Sequence, residues 1–95
     1  RAPMVGHLGD GNFHVILPYD PKEEGIYNKI REFSDLLISK TLELDGTITG
    51  EHGVGLHKKA YLLKEHGDSI ALMRTIKRSI DQNNIMNPGK IFDLN

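Results

Sequence analysis

Hydrophobic residues near the start of the chain follow the two-residue alternation of strands. Two such runs flank Asp10-Gly11, a dipeptide that favours a two-residue type I′ turn, so residues 3–18 are predicted to form a β-hairpin. This turn would place His7 opposite His14. One face of the hairpin would carry Met4, Gly6, Leu8, Phe13, Val15 and Leu17. The other face would carry Val5, His7, His14 and Ile16, with the two imidazoles side by side.

A long amphipathic helix is predicted after the hairpin. Asp20 suits the N-cap, Pro21 the first helical position and Gly46 the stop. Between them, apolar residues recur near the 3.6-residue period of a helix. They are Ile26, Ile30, Phe33, Leu37 and Leu44. One face of this helix is therefore expected to pack against the rest of the fold.

Two shorter helices are predicted in the second half of the chain, over residues 56–66 and from 68 or 69 to 84, separated by Gly67. The inner side of the last helix would carry Ile70, Met73, Ile76 or Lys77, and Ile80. Short extended segments are predicted at residues 47–49 and 90–92. This order predicts an α+β fold, with helices packed on a small antiparallel sheet.

Composition narrows the possible functions. The 95 residues suit about one small domain, and the net charge of −1 with no long basic block argues against a nucleic-acid-binding module. No apolar run is long enough for a membrane span. The absence of cysteine excludes disulfides and thiolate metal sites. Because the chain begins at Arg1 and offers little sheet for three helices, it is expected to be part of a longer protein.

Residues that can carry chemistry lie in or beside two glycine-rich stretches, residues 6–11 and 50–55. The predicted metal ligands are His7, His14 and Glu51, with the carboxylate supplied when the second stretch folds over the hairpin. Two imidazoles and one carboxylate leave open coordination positions, and without sulfur ligands they suit Zn²⁺, Mn²⁺ or Fe²⁺. Spacing alone leaves the alternative open that the histidines are ordinary hydrogen-bonded or surface groups.

Three motifs follow one another along the chain: Gly6-His7-Leu8-Gly9-Asp10-Gly11-Asn12-Phe13-His14, Gly50-Glu51-His52-Gly53-Val54-Gly55 and Asn87-Pro88-Gly89-Lys90-Ile91. In this order they resemble the C-terminal end of FAD-linked 2-hydroxyacid dehydrogenases. The resemblance is to the D-lactate dehydrogenase and glycolate oxidase FAD-subunit group of the vanillyl-alcohol oxidase superfamily. It implies that residues 1–95 are the C-terminal portion of a ferredoxin-like substrate (cap) domain. The FAD-binding domain of such a protein would lie outside this sequence.

The resemblance also implies a role for each matching position. The ligands of a divalent metal would be His7, His14 and Glu51. His52 would be the general base that takes the hydroxyl proton while the substrate α-hydrogen leaves as hydride to the flavin. Asn87 would approach the flavin. Ile16 stands where relatives acting on D-2-hydroxyglutarate typically have an asparagine that contacts the substrate, which favours a smaller acid such as lactate or glycolate.

Two other functions stay open. One is a non-haem iron oxygenase with the same three ligands as a facial triad, which the helical content disfavours. The other is a non-catalytic metal-binding or assembly domain. The expected partners are a small 2-hydroxy acid and the FAD-binding domain of the same protein. The protein is expected to be cytoplasmic, with a possible peripheral association with a membrane through its electron acceptor. Exposed core would favour a homo-oligomer, and the isolated segment is expected to be inactive.

Overall fold

The computed structural model describes residues 1–95 and contains one antiparallel hairpin followed by two long helices. Strand β1 spans Met4–His7, strand β2 spans Asn12–Val15, helix α1 spans Ile26–Glu43 and helix α2 spans Lys59–Ile80. The two strands and two helices confirm the predicted α+β class. The ferredoxin-like cap domain stays a prediction. The chain divides into two compact units, Arg1–Gly46 and Thr47–Asn95.

The hairpin forms where it was predicted but with a different register. Asp10 belongs to a single 3₁₀ turn, Leu8–Asp10, and Gly11 follows with a positive φ of 67°. A type I′ turn needs positive φ at both central residues, so a four-residue connection replaces the expected two-residue turn. His7 consequently pairs with Asn12, and His14 pairs with Val5. The predicted pairing of His7 with His14 is therefore wrong.

Helix α1 begins five residues later than predicted. The Asp20 carboxylate accepts the backbone N–H of Lys22 at 2.9 Å, and the Asp20 carbonyl accepts that of Glu23 at 3.0 Å, so Asp20 forms a turn instead of a helix cap. Gly25 then adopts a left-handed conformation, with φ of 74°, immediately before Ile26. Because a left-handed residue cannot continue a right-handed helix, α1 starts only after it.

The end of α1 lies close to the predicted stop. Asp45, with φ of 59°, takes the left-handed position that glycine usually occupies. Its N–H donates to the Leu42 carbonyl at 3.1 Å, and the Gly46 N–H donates to the Thr41 carbonyl at 2.8 Å. These two bonds form a Schellman motif, which satisfies carbonyls that the helix end leaves without partners.

Helix α2 joins the two helices predicted for the second half of the chain. The break expected at Gly67 is present as a kink at His66, whose φ and ψ of −124° and 30° are not helical. The helix starts at Lys59, three residues after the predicted start, and ends at Ile80, before the predicted end at Asn83-Asn84. Neither α1 nor α2 is long and apolar enough to cross a membrane.

The two short extended segments predicted in the second unit are not strands. The Ile48 N–H donates to Glu65 Oε2 at 3.1 Å. Ile91 has a positive φ of 70°, and its N–H donates to the Gly55 carbonyl at 2.8 Å. Each backbone N–H has thus found a partner outside any sheet, which meets the same hydrogen-bonding requirement that a strand would.

All buried residues belong to the second unit. They are Ile48, Leu62, Ile70 and Asp81. The sequence pattern predicted either Ile76 or Lys77 on the inner side of α2. Lys77 is half-buried and Ile76 is 51% exposed, so Lys77 is the inner residue. No residue of α1 is buried. Its predicted apolar face is half-buried at Ile26, Ile30 and Leu37 and exposed at Phe33 and Leu44.

Candidate functional site

The two hairpin histidines lie on the same face of the sheet. The register is displaced by two residues, and an even displacement leaves the side chains of the paired strand residues on their predicted faces. Since His7 pairs with Asn12 and Val5 with His14, the histidines occupy diagonal positions. Diagonal neighbours are about 7–8 Å apart and still within reach of long side chains. The two imidazoles therefore share one face of the hairpin, but they are not directly opposed.

Ile16 extends this face at the end of β2. Its N–H donates to the Pro3 carbonyl at 2.9 Å, which continues the hairpin register by one residue beyond Val15. Because side chains alternate along a strand, Ile16 lies on the His14 face. Its side chain is 47% exposed, so it is available to line a bound molecule.

Gly6 allows the two strands to approach each other closely. It pairs with Phe13. A Cβ atom at this position would overlap the Asn12 carbonyl oxygen and lie 2.5 Å from the Phe13 Cα atom, so only glycine fits here. Gly6, in the first glycine-rich stretch, is thus required for the pairing of the two strands. It lies on β1, the strand that ends with His7.

Glu51 and His52 are adjacent in a turn that precedes α2. The Glu51 side chain is 48% exposed, the His52 side chain is 75% exposed, and 4.0 Å separates Glu51 Oε1 from His52 Nε2. The Gly53 N–H donates to the Gly50 carbonyl at 3.3 Å, and the Thr49 hydroxyl donates to the Gly53 carbonyl at 2.9 Å. These bonds shape a turn that presents a carboxylate and an imidazole side by side at the surface.

The Asn87 motif is tied to this glycine-rich stretch. Asn87 has a positive φ of 46°, and its carbonyl accepts the Lys90 N–H at 3.3 Å. The next residue, Ile91, donates its N–H to the Gly55 carbonyl. The structure therefore joins the second and third motifs, which are more than thirty residues apart in the sequence.

A buried carboxylate, Asp81, was not identified from the sequence. Its oxygens accept the Lys77 ammonium and the backbone N–H groups of Ile85, at 3.0 Å, and Met86, at 2.9 Å. The hydrogen bond from Lys77, supported by the two N–H groups, lowers the pKa of Asp81 to about 2, although burial opposes this change. The signal in the sequence is a lysine four residues before an aspartate on the inner side of a helix.

Comparison with known proteins gives the family. The chain matches the family described as FAD linked oxidases, C-terminal domain, over residues 1–91, and it belongs to this family. This finding confirms the resemblance that the three motifs indicated.

Three relatives show the range of proteins that carry this domain. Mitochondrial D-lactate dehydrogenase (cytochrome) 1 of Saccharomyces cerevisiae is 48% identical over 90 residues, which cover 94% of this chain and 15% of the relative. Glycolate oxidase subunit GlcD of Bacillus subtilis is 41% identical over 88 residues, or 92% of this chain and 19% of the relative. D-2-hydroxyglutarate dehydrogenase of Xanthomonas citri pv. viticola is 40% identical over 91 residues, or 93% and 19%. The chain thus spans less than a fifth of the length of these relatives.

Proposed function

We propose that residues 1–95 form the C-terminal portion of the substrate (cap) domain of an FAD-dependent oxidoreductase. The enzyme would oxidise a small D-2-hydroxy acid to the 2-oxo acid, with FAD held mainly by a domain outside residues 1–95. The match to the FAD linked oxidase family over residues 1–91 carries this proposal. The three relatives, named for D-lactate, glycolate and D-2-hydroxyglutarate, support the substrate class.

A divalent metal would be held by His7, His14 and Glu51. The shared hairpin face of the two histidines and the accessible Glu51 carboxylate support this assignment. The donor set of imidazole and carboxylate suits zinc, manganese or iron. When bound, such an ion lowers the pKa of a substrate hydroxyl and orients the acid.

His52 would act as the general base. Its side chain is 75% exposed, so a substrate hydroxyl can reach the ring. Imidazole exchanges protons readily near neutral pH, and a base must lie within hydrogen-bond reach of the proton it takes. His52 would take the hydroxyl proton as the α-hydrogen leaves as hydride, which FAD accepts. Asn87, tied to the same glycine-rich stretch through Ile91, would approach the flavin.

Ile16 would favour a small acid. Its side chain lies on the His14 face and offers no hydrogen bond to a second substrate carboxylate. A buried or partly buried carboxylate without such a partner is unfavourable. Lactate and glycolate are therefore the preferred substrates in this proposal, ahead of D-2-hydroxyglutarate.

The test uses the full-length flavoprotein that contains this segment. We compare the wild type, a His7→Ala/His14→Ala double variant, His52→Ala, and His57→Ala, which changes an exposed histidine. Elemental analysis should show metal in the wild type and none in the double variant. In stopped-flow experiments, His52→Ala should retain metal and FAD but lose about 10²–10⁴-fold in the rate of flavin reduction. D-lactate and glycolate should reduce the wild-type flavin faster than D-2-hydroxyglutarate does.

Each assignment has an outcome that contradicts it. Metal retained in the double variant would refute the ligands, and normal flavin reduction in His52→Ala would refute the base. His57→Ala should behave as the wild type. The isolated 95-residue chain, supplied with D-lactate, FAD and a dye acceptor, should show no turnover.

The same measurements separate the alternatives. A metal-binding or assembly domain would hold metal without any flavin reduction. An iron oxygenase would consume oxygen with iron bound, but that chemistry normally occupies an all-β barrel, and this chain has only two short strands. The cytoplasmic location stays a prediction, and the yeast relative is named as mitochondrial.

A further inference from the structure

The Asp81 carboxylate organises the backbone that follows α2. Oδ1 accepts the Ile85 N–H, while Oδ2 accepts the Met86 N–H and the Lys77 ammonium. The residue is only 6% exposed. A carboxylate withdrawn from water is stable only when it is paired and hydrogen-bonded. Asp81 meets this condition through these three donors, two of which are backbone N–H groups of the segment that follows α2.

The segment from residue 82 to residue 91 contains four residues with positive φ. Asn84, Asn87 and Ile91 have positive φ values of 50°, 46° and 70°, and Gly89 has 71°. Positive φ is uncommon for residues other than glycine and especially unfavourable for a β-branched residue such as Ile91. Such conformations persist only where surrounding contacts hold them. The segment therefore needs anchors on both sides of Asn87.

The structure provides those anchors. Before Asn87, Asp81 holds Ile85 and Met86, and the Lys77 ammonium also donates to the Met86 carbonyl. After Asn87, the Lys59 ammonium donates to the Gly89 carbonyl at 3.1 Å, and Ile91 donates to Gly55. The last bond connects this segment to the glycine-rich stretch that carries His52.

We propose that Asp81 is a positioning residue for the oxidation reaction. Its carboxylate fixes the path of residues 82–86 and thereby sets Asn87 for its approach to the flavin. Through the Ile91–Gly55 bond, the same segment steadies the turn that carries His52. The inference rests on the proposed function, because that function gives Asn87 and His52 their roles.

The experiment uses the full-length flavoprotein with three variants. Asp81→Asn keeps the shape of the side chain but removes its charge, and Lys77→Met removes the ammonium that joins Asp81 to the Met86 carbonyl. Asp68→Asn is the matched control, because Asp68 is exposed on the same helix. For each protein we measure amide hydrogen exchange, the visible spectrum and dissociation constant of bound FAD, and thermal stability. We also measure the rate of flavin reduction by D-lactate, with kcat and KM.

In Asp81→Asn, the amides of Ile85, Met86 and Ile91 should exchange faster, and the visible band of the flavin should shift. The rate of flavin reduction at saturating D-lactate should fall about tenfold to a hundredfold, as expected for a small displacement of reacting groups, with little change in KM. Lys77→Met should show the same changes to a smaller extent. Asp68→Asn should match the wild type in every measurement.

A wild-type flavin spectrum and reduction rate in both Asp81→Asn and Lys77→Met would overturn the proposal, even if thermal stability fell. If Asp81→Asn does not fold, Lys77→Met decides the outcome by the same criteria. A wild-type protein that binds no FAD would instead refute the proposed function. Unchanged exchange at Ile91 in Asp81→Asn would refute the positioning role whatever reaction the protein carries out.

Discussion

Residues 1–46 hold a hairpin and a helix without buried side chains, whereas residues 47–95 hold every buried side chain of the protein. In the second unit, the chain after α2 returns to the helix and is fastened there by long side chains. Lys59 binds the Asp93 carboxylate at 2.7 Å, Arg74 binds the Asp93 carbonyl at 2.6 Å, and Arg78 binds the Leu94 carbonyl.

The contrast shows that a correct pattern of apolar residues does not by itself make a core. The hairpin face predicted to be apolar is present, yet Met4 is 68% exposed and Phe13 is 51% exposed. A two-stranded hairpin gives too little surface to bury such side chains by itself. Contiguous exposed apolar residues typically mark a contact surface. Under the proposed function, the remainder of the cap domain would cover this face.

The difference in burial between the two units predicts different losses of stability on mutation. The largest loss is expected at Ile70. Ile70 is 2% exposed, so Ile70→Ala removes buried atoms and leaves a cavity, and it should cost about 2–5 kcal/mol of unfolding free energy. Leu36→Ala in α1, where the residue is 69% exposed, should stay within about 0.5 kcal/mol. Urea denaturation followed by circular dichroism measures both.

Leu72→Ala controls for the loss of a large side chain on α2 itself, because Leu72 is 63% exposed. Its effect should resemble that of Leu36→Ala. Equal losses for Ile70→Ala and Leu36→Ala would contradict the difference between the two units.

A smaller effect is expected at Gly6, in the first unit. Gly6→Ala forces a methyl group against the backbone of β2, and overpacking of this kind costs about 1–3 kcal/mol. NMR should show loss of the cross-strand contacts between residues 6 and 13, with the amide exchange of α2 unchanged. Gly9→Ala is the matched control, since a Cβ there would meet no atom within 4 Å. An intact hairpin in Gly6→Ala would contradict the observed strand pairing.

The smallest effect concerns the pH dependence of the second unit. The Asp81 carboxyl has its pKa lowered from 3.8 to about 2, so the folded state binds its proton less readily than the unfolded state does. The stabilisation that this group provides is present above about pH 4 and is lost as the pH falls through about 2. A ¹³C NMR titration of the side chain should give a midpoint near 2. An ordinary midpoint near 3.8 would mean that Lys77 does not hold the carboxylate.

Much of the local structure could be predicted because its causes are local. The alternation on either side of Asp10-Gly11 predicted the hairpin, and the 3.6-residue period predicted α1. The exact starts and pairings could not be predicted in this way. Asp20 forms a turn with Lys22 instead of a helix cap, and the 3₁₀ turn of residues 8–10 displaces the hairpin register. Both outcomes depend on small differences between competing local hydrogen bonds.

By itself, the sequence determined the α+β class, the helical and strand periods, the three motifs and the family to which the chain belongs. Only the tertiary structure decided which partners the irregular backbone finds. Ile48 bonds to Glu65, and Ile91 bonds to Gly55, across 17 and 36 residues. Local patterns cannot specify such pairs, because every buried N–H must find some acceptor but can find it anywhere along the folded chain. The Asp81 carboxylate meets the same requirement for the N–H groups of Ile85 and Met86, which donate to it.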